Sequence, residues 1–189
     1  QLSTLEVWDE RLTDLGTQLI VERTALVDRI APHVAEAYRR IAGDDQSAQL
    51  AMRLSILGDV PDDDAEESGM PTAAVDADET RAAFVAAIAR VRRAELDRGL
   101  TLVGPHRDDL VLTLNELPAR GYASHGESWS FALALKLAGA AVLRAESPLG
   151  DPVVILDDVF AELDVARRSR LAAALAGHEQ APITAAVLQ

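Results

Sequence analysis

The chain has 189 residues, no cysteine, 49% hydrophobic residues and only 4% aromatics, enough for one medium domain or a small domain with an arm. Disulfides and cysteine metal sites are excluded, and the core must be built from Ala, Leu and Val. The formal net charge of −13 argues against a generally basic nucleic-acid-binding surface, but nine acids between Asp59 and Glu79 carry most of it, leaving −4 for the rest. No apolar run reaches membrane-span length and no signal-peptide pattern opens the chain, so a cytoplasmic protein with no membrane partner is expected.

Ser3 and Glu6 have capping-box spacing. Leu5, Trp8, Leu12, Leu15 and Leu19 follow at three- and four-residue steps, one face of a long helix whose stripe is read as core packing. Pro32 is expected to kink that helix or start a new one carrying Val34, Tyr38 and Ile41. Residues 50–56 alternate as a strand does. An acidic stretch at about 58–78 has no apolar period and reads as a mobile loop. A helix of about Glu79–Arg98 follows, stopped by Gly99. On it Arg90, Arg92, Arg93 and Arg98 form the most basic patch of the chain. A DNA-backbone contact and a solvated helix face are the two readings, and the second is commoner.

At Thr101 the texture changes. Leu102-Val103 and Leu110–Leu114 read as strands flanking Gly104-Pro105-His106-Arg107-Asp108-Asp109, with Asn115-Glu116 as a hairpin turn. For His106 and Arg107 the commoner explanation is a structural network with Asp108 or Asp109. A helix is expected over about Ser128–Ala145, a second over about Val165–Ala176 and a last strand around Ile183–Val187. Between the two helices, Val153–Leu156 is a short β-branched apolar run after Pro152, read as a strand buried on both faces. Strand, helix, strand, helix, strand is an α/β unit.

Asp157 and Asp158 stand where the Val153–Leu156 strand should end, the side of an open sheet on which ligands bind. Two adjacent acids there suit a cation or a proton transfer, as in a Walker B strand, where one Asp holds Mg²⁺ and the next polarises water. On these two residues alone, a polar turn with solvated carboxylates is an equal reading. Upstream, Ser124-His125-Gly126-Glu127 opens directly onto a helix, where a small hydroxyl residue, a Gly and free N–H groups make an anion cradle. An ordinary N-cap is the rival reading. The order cradle, helix, apolar strand, Asp-Asp, then Ala161-Glu162-Leu163-Asp164 goes beyond either motif alone.

That order is the signature motif, Walker B and D-loop order of an ABC-type ATPase head. Gly104–Leu110, Tyr122–Glu127 and Leu156–Asp164 together resemble the RecF family, continuously from Thr101 to the end. The resemblance implies an α/β fold: the C-terminal lobe of an ABC/SMC-like P-loop ATPase head over residues 100–189, with a helical arm domain over 1–99. It implies Asp157 as a Mg²⁺ ligand through water and Asp158 as the general base. Ser124, His125, Gly126 and Glu127 would be the signature residues meeting ATP of the opposite subunit, and Ala161, Glu162, Leu163 and Asp164 the D-loop at a dimer interface. His125 and Glu127 replace the usual Gly and Gln, and a carboxylate near a γ-phosphate would repel it. His106, Arg107 and Asp108 recur in the family motif as structural or nucleotide-linked residues. Thr184 lies where many such heads carry a switch His.

No Gly-x-x-x-x-Gly-Lys-[Ser/Thr] motif occurs, so a Walker A lobe is expected on a further segment, and hydrolysis by this chain alone is not expected. The resemblance further implies a DNA replication, repair, recombination and SOS-response protein. It would bind ATP and Mg²⁺, form an ATP-dependent homodimer with weak DNA-stimulated hydrolysis, bind double-stranded and gapped DNA, and act with RecR and RecO. A transporter ATPase subunit and a non-catalytic interaction scaffold are the alternatives.

Overall fold

In the computed structural model, which describes residues 2–43, 45–58, 75–148, 150–160 and 163–184, the chain opens on a 41-residue helix, α1 (Leu2–Ala42). There follow β1 (Ala48–Arg53), α2 (Ala77–Arg98), β2 (Asp109–Leu114), β3 (Leu117–Pro118), a kinked turn α3 (Ala119–Tyr122), α4 (His125–Glu146) and α5 (Val165–Leu175). Most of the predicted acidic loop, and the Ser3 side chain of the predicted capping box, lie outside the described residues. A single helix spans Pro32, so no new helix starts there; the proline removes one N–H bond and the flanking ladder carries the helix across it.

The chain forms two compact units, residues 1–28 with 51–111 and residues 29–50 with 112–189, so α1, β1 and β2 each contribute to both. In the first unit, only part of the predicted Trp and Leu stripe packs: Leu12 lies against the core, but the fully buried face of α1 is a neighbouring one. Trp8, Leu15 and Leu19 are 66%, 46% and 49% exposed, whereas Thr13, Thr17, Ile20 and Thr24 are buried. The small residues allow α2 to come close: a Cβ on Gly16 would lie 2.4 Å from Phe84 Cε1. Thr24 satisfies its buried hydroxyl by donating to the Ile20 carbonyl, 2.8 Å away. The α2 helix starts on an Asp76 cap and ends at Gly99, whose φ of 68° suits a left-handed C-cap.

The second unit is built round α4, the one described helix long and apolar enough to cross a membrane by length and composition. It is a core helix, with Phe131, Ala134 and Ala138 packed on Val34 and Tyr38 and its Leu133 and Leu137 packed with Val154, Leu156 and Leu171. Asn115 and Glu116, at φ 49° and 69°, make the tight turn between antiparallel β2 and β3, as expected.

Residues 153–156 differ from expectation. Backbone bonds from Val154 N to Gln180 O, Leu156 N to Pro182 O and Thr184 N to Leu156 O, with one parallel bridge between Leu156 and Ile183, lay the segment beside residues 180–184. Alternate side chains of extended backbone point to opposite faces. Val154 and Leu156 enter the core, while Val153 and Ile155 are 54% and 71% exposed, so one face alone is covered by described residues. Among the described residues Leu102 and Val103 are buried without pairing as a strand, and residues 185–187 of the predicted last strand lie outside the described set.

Candidate functional site

Ser124 stops the extended approach to α4, at φ −64° and ψ 164°, and caps it reciprocally with Glu127. Its Oγ accepts from Glu127 N at 3.4 Å, while Glu127 Oε2 accepts from Ser124 N at 2.8 Å and from the Ser124 hydroxyl at 2.6 Å. The Ser124 hydroxyl, then its backbone N–H, hold the Glu127 carboxyl below its ordinary value, with a smaller contribution from Arg167. The carboxylate that the sequence set against a phosphate is thus tied back onto its own cap. Gly126 sits under the Arg167 side chain of α5: a Cβ there would lie 2.6 Å from Arg167 Nη1. His125 is exposed at the first helical position.

Asp157 and Asp158 close the Val153–Leu156 segment, both exposed. Asp158 has a φ of 49°, uncommon for a residue with a Cβ, which turns the chain sharply after Asp157. Thr184 holds this turn from the adjacent segment. Its hydroxyl donates to Asp157 Oδ1 and accepts from Asp158 N at 3.2 Å. Trp129 Nε1 donates to Val159 O at 3.2 Å, anchoring the turn to α4. No group of three or more His, Cys, Asp or Glu able to hold a metal exists among the described residues. Mg²⁺ is usually held by one or two carboxylates together with phosphate oxygens and water, so the exposed Asp157, orientated by Thr184, has the chemistry the ion requires.

Ala161 and Glu162 lie outside the described residues. Leu163 is buried, with 3% exposed, and Asp164 is the N-cap of α5, its Oδ1 accepting from Arg167 N at 2.8 Å. Sequence reasoning missed Arg167 altogether and assigned Thr184 no contact.

The Gly104–Asp109 turn belongs to the other unit, and its network differs from the one expected. Asp108 Oδ1 accepts from Ser55 N at 2.8 Å and lies 2.9 Å from Ser55 Oγ, which itself accepts from Gly104 N at 2.9 Å. Asp109 pairs with Arg53 at 3.3 Å. His106 and Arg107 are exposed and approach Thr101 O, at 3.5 Å and 3.0 Å, rather than either aspartate. Burial raises the Asp108 carboxyl above its ordinary value despite the Ser55 bonds, and its Oδ2 is buried without a partner among the described residues. Of the basic patch, Arg92 pairs with Asp9 and Glu95, Arg90 donates to Gly58 O at 2.8 Å, and Arg93 is exposed.

A capped helix carrying the glycine turn, a carboxylate pair ending an apolar segment, and a capped turn into a further helix make up an α/β lobe, and its fold is that of the ABC/SMC-like ATPase heads. No protein-family model matches the chain. It is 58% identical over 193 aligned residues to the DNA replication and repair protein RecF of Clavibacter michiganensis subsp. michiganensis, covering 100% of this chain and 48% of that protein. The RecF proteins of Leifsonia xyli subsp. xyli and Rhodococcus erythropolis are 56% and 50% identical, over 100% and 98% of this chain and 49% and 45% of theirs. Two solved structures, described as the recombination mediator protein RecF-ATPrS and RecF-ATP in the RecFOR pathway, superpose with TM-scores of 0.76 and 0.73 at 24% identity. They cover 99% and 98% of this chain and 46% and 45% of theirs, and carry the fold alone. The chain belongs to the RecF family and spans about half the length of the curated relatives it matches.

Proposed function

We propose that the chain is the arm and C-terminal head lobe of a cytoplasmic DNA replication and repair protein that binds ATP and dimerises head to head through it. The observation that supports this best is the start of α4. Ser124 and Gly126 present backbone N–H groups and a hydroxyl at the positive end of a 22-residue helix, where a terminal phosphate held by the other subunit would dock. Ser124 would exchange its bond to Glu127 for one to the phosphate. Asp157 would hold Mg²⁺ through water, and bound Mg²⁺ would neutralise charge developing on the transferred phosphoryl group. Asp158, turned out by its left-handed backbone, would orient and deprotonate the attacking water. The turn ending at Asp164 would lie at the dimer interface.

In this reading the arm comprises residues 1–99 and the lobe 100–189. The dimer closes on double-stranded DNA beside a single-strand gap, Arg90 and Arg93 contribute phosphate contacts, and RecR and RecO are partners in loading recombinase. Hydrolysis resets the clamp, and the protein serves the SOS response. The test is the ATP-dependent mass of the full-length protein, measured by light scattering with Mg²⁺, against Ser124→Arg. Dimers of wild type but not of the variant, with ATP binding retained in both, support the reading. Equal behaviour of the two proteins contradicts it.

A further inference from the structure

We propose that Arg167 is a phosphate-contacting residue, the cation of the cradle at the start of α4, reaching the terminal phosphate of a nucleoside triphosphate held by a second copy of the full-length protein. The inference rests on the trans reading of Ser124 and Gly126 and adds a residue to it. The cradle as built by its own turn has a charge problem. Both polar hydrogens of Ser124 point to Glu127 Oε2, so an incoming anion must displace a carboxylate that stays close by. A neighbouring cation reverses that balance, and Arg167 is the cation in place.

Its Nη1 lies within 2.6 Å of where a Gly126 Cβ would stand, so the guanidinium covers the backbone of the turn that glycine leaves open. The side chain is 20% exposed, and its head makes no hydrogen bond among the described residues; its charge is shared between a loose 3.9 Å ion pair with Asp164 and attraction to Glu127. Its donors are therefore available, in the planar fork that fits phosphate oxygens. The capped turn holds the residue there: Asp164 Oδ1 accepts the Arg167 backbone N–H at 2.8 Å, leaving the side chain to lie back over α4. A second polar group feels the same charges. Tyr38 is fully buried, its hydroxyl has no partner among the described residues, and both Glu127 and Arg167 act on it electrostatically. An unmet hydroxyl is costly in a core.

The test uses the full-length protein and compares Arg167→Gln with wild type and Ser124→Arg. Fluorescent ATP binding to dilute monomer is expected to be unchanged in Arg167→Gln, since the residue serves the other subunit's nucleotide. The ATP-dependent dimer, read by light scattering against an ADP control, should weaken by about tenfold or more, as for loss of a charge-assisted contact. Arg167→Lys, which keeps the charge, should dimerise better than Arg167→Gln, and supplies the comparison should the glutamine variant fold poorly. If Arg167→Gln dimerises like wild type while Ser124→Arg does not, Arg167 is no phosphate ligand although the signature reading stands. If Ser124→Arg also dimerises like wild type, the signature reading itself has failed.

Discussion

Gly126→Ala separates stability from function at the start of α4. Alanine favours a helix interior over glycine by about 1 kcal/mol, and by less in a first turn. Against that gain stands the contact of the new Cβ with Arg167 Nη1 at 2.6 Å and Cζ at 3.8 Å. Both atoms belong to the end of a flexible side chain whose ion pair is loose, so relief costs about 0.5–1.5 kcal/mol at most. The two effects nearly cancel, and the melting temperature of the full-length protein should barely move. Function should respond quite differently, because Arg167 must swing off the turn to make room for the methyl group, and the proposed phosphate contact is displaced with it. Losing one hydrogen bond to a charged oxygen costs about 1.5–3 kcal/mol, a tenfold or greater weakening at each of the two nucleotide sites in a dimer. Light scattering with ATP and thermal melting without it give the two readings. An unchanged dimer with unchanged melting refutes the phosphate contact; a large drop in melting temperature shows that the glycine is there for packing.

Thr184→Val removes the hydroxyl that orientates Asp157 at nearly constant volume; ATP binding should persist while steady-state hydrolysis falls by about tenfold or more, as expected for a displaced catalytic group. Ser55→Ala should destabilise the protein by about 1–3 kcal/mol in denaturant unfolding, because it orphans Gly104 N–H and leaves Asp108 a single donor. Since burial raises the Asp108 carboxyl, the folded state binds its proton more tightly than the unfolded state does. Stability should therefore fall as pH rises from the ordinary aspartate range through the raised value, and Asp108→Asn should remove that slope. Gly16→Ala meets the buried Phe84 ring at 2.4 Å; overpacking of about 1–3 kcal/mol outweighs the helix-propensity gain of about 1 kcal/mol, and the denaturant midpoint should drop.

The caps and turns around the candidate site were legible because each is short and local. Ser-x-x-Glu before an apolar helix specifies the cap of α4, Asn115-Glu116 specifies its turn, and Gly99 ends α2 where expected. What escaped the sequence depends on close approach between distant segments. The helix stripe was assigned by hydrophobicity to Leu5, Trp8, Leu12, Leu15 and Leu19, of which Leu12 packs, yet the buried face is the one with Gly16, Thr17 and Thr24, chosen by how near Phe84 can come. The aspartates of the Gly104–Asp109 turn were matched to their sequence neighbours, but Ser55 and Arg53 lie opposite them. Arg167 falls into no motif. Only the fold of α5 over Gly126 brings it to the cradle, and a glycine flanked by a polar turn was the single hint available. Exposure of Val153 and Ile155 could not be anticipated, since an apolar β-branched run reads alike whether one face or two are covered.

The most direct measurement of the central claim mixes two inactive full-length variants, Ser124→Arg and Asp158→Asn, and follows ATP hydrolysis. If the signature turn of one subunit completes the carboxylate site of the other, each variant alone is inactive. A mixed dimer then regains one intact site, from the Asp158 of the first variant and the Ser124 of the second. Hydrolysis should return on mixing and depend on the ratio of the two proteins. No recovery at any ratio, with mixed dimers demonstrated by differential labelling, would contradict the shared site and leave Ser124 as a helix cap alone.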